Sequence, residues 1–340
     1  MTPYAQESEV VTAGRDIQSL RAALQNVLFG KEELIDMMIC GLLARGHILL
    51  EGLPGLGKTE LVKGLARALQ LETRRIQFTP DLLPGDITGN PVLQETPQGR
   101  QFVFQPGPLF TNLVLADEIN RASPKTQSAL LEAMQERRVT VLGVTHRLPD
   151  PFFVLATQNP VELEGTYPLP EAQVDRFLFK LEVLRNDATV LERIVKDREL
   201  GMEPSVSAVL DNAQMTALLA LTRRIFLPDP VANYIARLVD ATHHGQSQAA
   251  AAVKYGASPR AALSMASASK ALALMNGRTH SSFEDVARVA MPVLGHRIIL
   301  DYGARIDGRT SRDVVAALLQ EVPVRDTPVP RTLTDSDRAA

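Results

Sequence analysis

The chain has 340 residues, 45% of them hydrophobic, enough for two packed domains; 36 basic and 39 acidic residues leave a net charge of −3. That balance argues against a broad basic surface for nucleic acid. A single cysteine excludes an intrachain disulfide, and no apolar run approaches the ~20 residues needed to span a bilayer.

Residues 1–14 are polar and lack the basic-then-apolar layout of a signal peptide, which predicts a flexible N-terminus on a cytoplasmic protein without membrane insertion. Ile17, Leu20, Leu24 and Val27 recur at helical spacing up to Phe29-Gly30. A second helix runs from about Lys31 to Ala44, with Cys40 among its core residues. Val27, Phe29 and Gly30 lie where the chain can pass over a bound base; a plain helix connection is the alternative reading.

The stretch from His47 to Thr59 carries the strongest signal. An apolar run ends at Gly52, and the pattern Gly, four residues, Gly-Lys-Thr follows, with Leu61, Val62, Leu65, Ala66 and Leu69 continuing at helical spacing. Strand, glycine loop and helix together are the context of a phosphate-binding loop. Glycine backbone amides can close around phosphate oxygens, and the helix N-terminus points its positive end at the same anion. The expected phosphate contacts are Gly52, Leu53, Pro54, Gly55, Leu56, Gly57, Lys58, Thr59 and Glu60. Lys58 reaches the β- and γ-phosphates, and the Thr59 hydroxyl holds Mg²⁺.

Arg74 to Phe78 reads as a strand, Pro80 to Gly89 as turn-rich chain, and 91–104 as a hairpin about Thr96-Pro97-Gln98-Gly99. Leu113 to Ala116 is continuously apolar, as in a strand buried on both faces, and ends in Asp117-Glu118. In a doubly wound α/β sheet that end is the ligand edge. Asp117 suits the metal, and Glu118 suits orienting and deprotonating the attacking water. Residues 139–147 form a second hairpin about Leu142-Gly143. Phe152 to Thr157 is another buried strand, ending at Gln158-Asn159-Pro160. Asn159 can hydrogen-bond the γ-phosphate or the water; an Asx-type turn is the alternative. A loop at 161–170, a short helix before Phe177 and a strand at 178–181 close the nucleotide-binding domain, residues 15–184.

From Arg185 to about Val322 only helical patterns occur, which predicts a smaller all-α lid domain over 185–322 and a disordered tail over 323–340. Within the lid, Ser258-Pro259-Arg260 reads as helix cap, first-turn proline and first-turn arginine. The helix macrodipole disfavours a cation there, so Arg260 is better explained with an anion nearby.

Gly52 to Thr59, Asp117-Glu118-Ile119-Asn120-Arg121, Ala156 to Pro160, Gly165 to Gln173, Asp175-Arg176-Phe177 and Ser258-Pro259-Arg260 together resemble a MoxR-type AAA+ ATPase from about Val27 to Ile298. The resemblance implies a five-stranded parallel sheet with helices on both faces, followed by a helical lid. It places an insert in the second helix at 91–104 and a pre-sensor hairpin at 139–147. It makes Asn159 sensor 1, Arg176 an arginine finger donated to a neighbouring subunit, and Arg260 sensor 2. ATP or ADP, Mg²⁺, a hexameric ring, a chaperone-like role on a protein complex and a partner with a von Willebrand factor A-type domain are further expectations. Gly295-His296-Arg297 departs from the Arg-His-Arg more frequent in the family. A nucleotide-gated scaffold with incidental hydrolysis and the motor of a metal chelatase are the rival readings.

Overall fold

The computed structural model describes residues 4–53, 55–96, 99–160, 166–199, 202 and 206–325. Pro54, the tip of the first hairpin at 97–98, residues 161–165 of the loop and the tail from 326 therefore lie outside the described residues.

The flexible N-terminus is overturned from Glu7 onward: α1 spans Glu7–Gln25. Val10 and Ala13 extend the buried stripe of Ile17, Leu20 and Leu24 by two turns, and the Gln6 amide donates to Glu9 at 2.9 Å to start the helix. The polar residues between them hid the period. After α2 (Glu32–Leu43), β1 (Ile48–Glu51) and α3 (Lys58–Ala68) come β2 (Thr73–Gln77), a five-residue helix α4 (Pro84–Thr88) inside the turn-rich stretch, and the hairpin β3 (Gly89–Thr96) and β4 (Gly99–Pro106). There follow β5 (Leu113–Asp117), α5 (Pro124–Glu136), the hairpin β6 (Arg138–Val141) and β7 (Val144–Arg147), β8 (Phe153–Gln158), α6 (Glu171–Val174) and β9 (Phe179–Glu182).

Five strands pair in the order β2-β5-β8-β1-β9, all parallel. Alternate residues face opposite hydrophobic clusters. Ile48, Leu50, Leu113, Leu115, Phe153 and Leu155 join α1 to α3 on one face, whereas Leu49, Val114, Ala116, Val154 and Ala156 join α5 residues Leu130, Leu131 and Met134 on the other. Burial of both faces is why these strands read as unbroken apolar runs.

Beyond α7 (Ala188–Asp197), the helices α8 (Asn212–Arg224), α9 (Asp229–Asp240), α10 (Pro259–Met275), α11 (Phe283–Leu294), α12 (Tyr302–Ile306) and α13 (Ser311–Glu321) form the lid. The all-α expectation needs one correction. β10 (Val253–Tyr255) and β11 (Ile299–Leu300) pair antiparallel, burying Val253 and Leu300, in strands too short to show a period. The long α10 packs on α1 and α2, so the lid sits on the two helices that precede β1.

Candidate nucleotide-binding site

Parallel strands put all their carboxyl ends on one edge. At the end of β1, Gly55 and Gly57 take φ of 79° and 82°, left-handed values that suit glycine, and Gly57 caps α3. Lys58 Nζ donates to the Gly52 carbonyl at 2.5 Å. Burial pulls the Lys58 ammonium below its ordinary pKa, while Asp117, Glu118 and Glu51 act in the opposite sense. Gly55, Gly57, Lys58, Thr59, Glu60, Asp117, Glu118 and Asn159 line one cleft of about 310 Å³.

β5 and β8 deliver the acids and the amide. Asp117 Oδ1 accepts from Thr157 Oγ1 at 2.6 Å, and Oδ2 accepts from Arg75 at 2.7 Å. The backbone of Glu118 is left-handed at φ 56°, and its amide donates to the same Thr157 hydroxyl at 2.8 Å. Glu118 Oε2 accepts from Gln77 Nε2 at 3.1 Å and from Arg121 at 2.9 Å. The Asn159 carbonyl accepts from Asn120 Nδ2 at 3.2 Å. Arg121 and Thr157 lie in stretches that carry the resemblance but were given no role, and Arg75 and Gln77 were not singled out in the sequence. Arg75 and Gln77 occupy alternate positions on β2 opposite Leu115 and Asp117, a register invisible without the strand order.

The donors are a hydroxyl, Thr59, and a carboxylate, Asp117, oriented by Thr157. Hard oxygen ligands in this small number suit Mg²⁺, which takes the rest of its shell from phosphate and water.

The segment from Val27 to Gly30 lies beside the loop. A Cβ on Gly57 would meet Leu28 at 2.6 Å, and one on Gly64 of α3 would meet Val27 at 2.9 Å. The Phe29 ring lies under two guanidiniums, Arg193 of α7 at 4.0 Å and Arg198, just after that helix, at 4.8 Å. Gly30 has φ 68° and is closed over by Val190.

Arg176 and Arg260 lie elsewhere. Arg176 precedes β9, and together with Arg260 it lines a pocket that includes Gly46 and His47, the residues before β1. This is the amino edge of the sheet. β1 alone, four residues long, separates the two edges by roughly 13 Å. Arg260 pairs with Asp175 at 3.3 Å, and Ser258 Oγ donates to the same carboxylate at 3.2 Å instead of capping its helix. Arg297, buried, donates to Asp175 at 2.7 Å and to the carbonyls of Phe177 and Leu178. At Gly295, where the family more often has arginine, a Cβ would lie 2.9 Å from the Met291 carbonyl.

A central parallel sheet with the phosphate loop after one strand, two acids after a second and a polar amide after a third defines a P-loop nucleoside triphosphatase with a helical lid. Residues 47–179 match the ATPase family associated with various cellular activities (AAA), and residues 245–318 match the AAA lid domain. Chaperone MoxR1 of Mycobacterium tuberculosis is 41% identical over 90% of this chain and 82% of its own length. Protein YeaC of Bacillus subtilis is 42% identical over 88% of this chain and 92% of its own, and Protein MoxR of Paracoccus denitrificans is 31% identical over 82% and 87%. A crystal structure of a candidate ATPase from Cytophaga hutchinsonii superposes with a TM-score of 0.86 at 39% identity, covering 93% of this chain and 97% of that one. The chain belongs to the MoxR family of AAA+ ATPases.

Proposed function

We propose that the chain is an Mg²⁺-dependent ATPase working as an assembly of identical subunits, a ring of six on the family pattern, in which Arg176 of one subunit completes the site of the next. One observation carries the reading. The Arg176 side chain makes no hydrogen bond or ion pair among the described residues, yet it lies on the edge opposite Lys58, beside an open cleft of about 700 Å³. A cation held that way cannot serve its own chain's phosphates and is available to another's. Arg260, on the same edge, is assigned to the same neighbouring site.

Within one subunit Lys58 binds the β- and γ-phosphates. Thr59 and Asp117 hold Mg²⁺, which when bound neutralises charge on the phosphate oxygens. Glu118 accepts a proton from water as the water oxygen bonds to the γ-phosphorus and the bond to the ADP oxygen breaks. Gln77 and Arg121 both hold Oε2 of Glu118, which leaves Oε1 for the water. Asn159 orients that water or the γ-phosphate. Arg176 stabilises the charge developing on the transferred group, an effect that can be worth 10³–10⁵ in rate.

Turnover then moves the lid and the two hairpins against a protein client, for which Leu93, Phe102, Leu142 and Val144 offer exposed apolar surface. We assign it a chaperone-like role in the cytoplasm with a von Willebrand factor A-type partner. Among the described residues no helix is long and apolar enough to cross a membrane.

ATP turnover per subunit, measured against protein concentration, tests the assembly. The rate should climb with concentration. Mixing Arg176→Ala chains, whose own clefts are intact, with Glu118→Gln chains, whose Arg176 is intact, should then restore turnover that neither variant has alone. A mixture as inactive as the two variants apart would sink the shared site.

A further inference from the structure

The amino edge carries more positive charge than its ion pairs absorb. Arg45, Arg137, Arg176, Arg260 and Arg297 line one pocket there, of about 250 Å³. Two carboxylates answer them. Asp175 pairs with Arg260 and Arg297; Asp150 pairs with Arg45 and, at 3.9 Å, with Arg137. Five guanidiniums against two carboxylates leave an excess of three charges. α2 and α5 end on this edge, and each carboxyl terminus presents about half a negative charge, which offsets one of the three. His47, also on the wall, is held neutral by burial. In the adjoining cleft Glu136 is paired with Arg138, and Glu132 is the other acid on its wall.

The backbone supplies a second, independent observation. Arg45 and Arg137 follow the last turns of α2 and α5 with φ of 59° and 52°. Glycine is the usual residue at such positions because a Cβ is strained there. Gln70 after α3 and Leu142 in the second hairpin take the same conformation, but only Arg45 and Arg137 bring a long cation by it to this edge, where such strain can serve a site. Glu118 in the cleft shares the same strain. Burial, then the neighbouring Arg45, work against the charge on Arg137, with Asp150 opposing them. The Asp150 side chain is 66% exposed, so an incoming anion can replace it.

We propose that Arg45 and Arg137 bind the polyphosphate of the nucleotide held by the neighbouring subunit, displacing Asp150. The inference rests on Arg176 acting between subunits. Arg45 and Arg137 exchange one anion for another, so they hold ground state and transition state alike and set KM. Arg176, with no carboxylate partner, is left for the charge that develops in the transition state and sets kcat.

Steady-state turnover against ATP concentration tests this with the full chain, at a protein concentration where the wild-type rate per subunit has levelled off. The double variant Arg45→Ala/Arg137→Ala should raise KM on the order of tenfold, with kcat within about twofold; lysine at both positions should restore part of the loss. Asp150→Asn frees both arginines and should lower KM. An unchanged KM in the alanine variant overturns the proposal, as does a lower melting temperature with KM unchanged, which would mean the arginines only cap their helices. If the alanine variant does not fold, Asp150→Asn decides alone: a lower KM supports the proposal, and an unchanged or higher one overturns it. Arg176→Ala separates the two levels. Wild-type turnover there removes the between-subunit site and this inference with it, whereas lost turnover there with a normal KM in the arginine double variant removes only this inference.

Discussion

Thr157 shows how much of the cleft hangs on one hydroxyl. Its Oγ1 donates to Asp117 at 2.6 Å and accepts from the Glu118 amide at 2.8 Å, so a single atom fixes both acids relative to β8. Replacing it with valine keeps the shape and removes both bonds. Misplacing groups by a fraction of an ångström is costly in rate, so we expect Thr157→Val to lower kcat by roughly 10- to 100-fold. The stability cost should be only about 1–2 kcal/mol, and Thr157→Ser should recover most of the rate. Turnover together with denaturant unfolding measures both; a valine variant with wild-type kcat would remove the hydroxyl from the mechanism. Thr157 lay inside a stretch that carries the resemblance, but nothing local gave it a role, because threonine is an ordinary strand residue. Lys58, Thr59, Asp117 and Glu118 were legible because the chemistry fixes their spacing against a strand end. Their supports, Gln77, Arg75 and Thr157, depend on which strands lie side by side, and that is a tertiary fact.

At the scale of elements, His47 fastens three of them together. It precedes β1, accepts the Val154 amide of β8 on Nδ1 at 3.0 Å and reaches the Met134 carbonyl of α5 with Nε2 at 3.1 Å. Since Nδ1 is an acceptor, Nε2 carries the proton, and a second proton on Nδ1 would face an N–H. Burial accordingly pushes the imidazole pKa down to about 4 from an ordinary 6.5. Between those values the unfolded chain binds more protons than the folded one, so stability falls as pH drops from 6.5 toward 4, by up to about 3 kcal/mol. Burial also lowers His296, which adds in the same direction. Urea unfolding at pH 7 and pH 5 should show the loss, and His47→Gln should show less of it. Equal pH dependence in the two chains would rule His47 out as a source. The elements themselves were legible where burial is two-sided or periodic, as in β5 and β8. The first two turns of α1 were not, because polar residues dilute a stripe that closes only against the lid, and β10 and β11 are too short to carry a pattern.

For the whole molecule, the question is what holds lid to core and so places the amino-edge arginines. Asp175 stands between them. Its Oδ1 accepts from Arg297, beyond the end of α11, and its Oδ2 from Ser258 and Arg260 at the start of α10, so two lid segments close on the residue that precedes Arg176. Arg297 is almost fully buried, and its remaining donors are spent on the carbonyls of Asp175, Phe177, Leu178 and Val293. Burial works against its charge, while the hydrogen bond and charge of Asp175 support it. Neutralising the carboxylate with Asp175→Asn leaves a buried guanidinium without its counter-charge, and breaking such a pair costs about 3–5 kcal/mol. Because Asp175 keeps some exposure, the lower end of that range is expected, read by denaturant unfolding. The functional consequence separates the two edges. The carboxyl-edge cleft shares no residue with Asp175, so an Asp175→Asn/Glu118→Gln chain should bind ATP as Glu118→Gln does. Turnover of Asp175→Asn alone should fall at least tenfold, because the platform for Arg176 and Arg260 is gone. Weakened binding would mean that the two edges are coupled, either through the sheet or across subunits through Arg260. Full turnover in a destabilised chain would mean that the lock serves folding alone and that Arg176 holds its place without it.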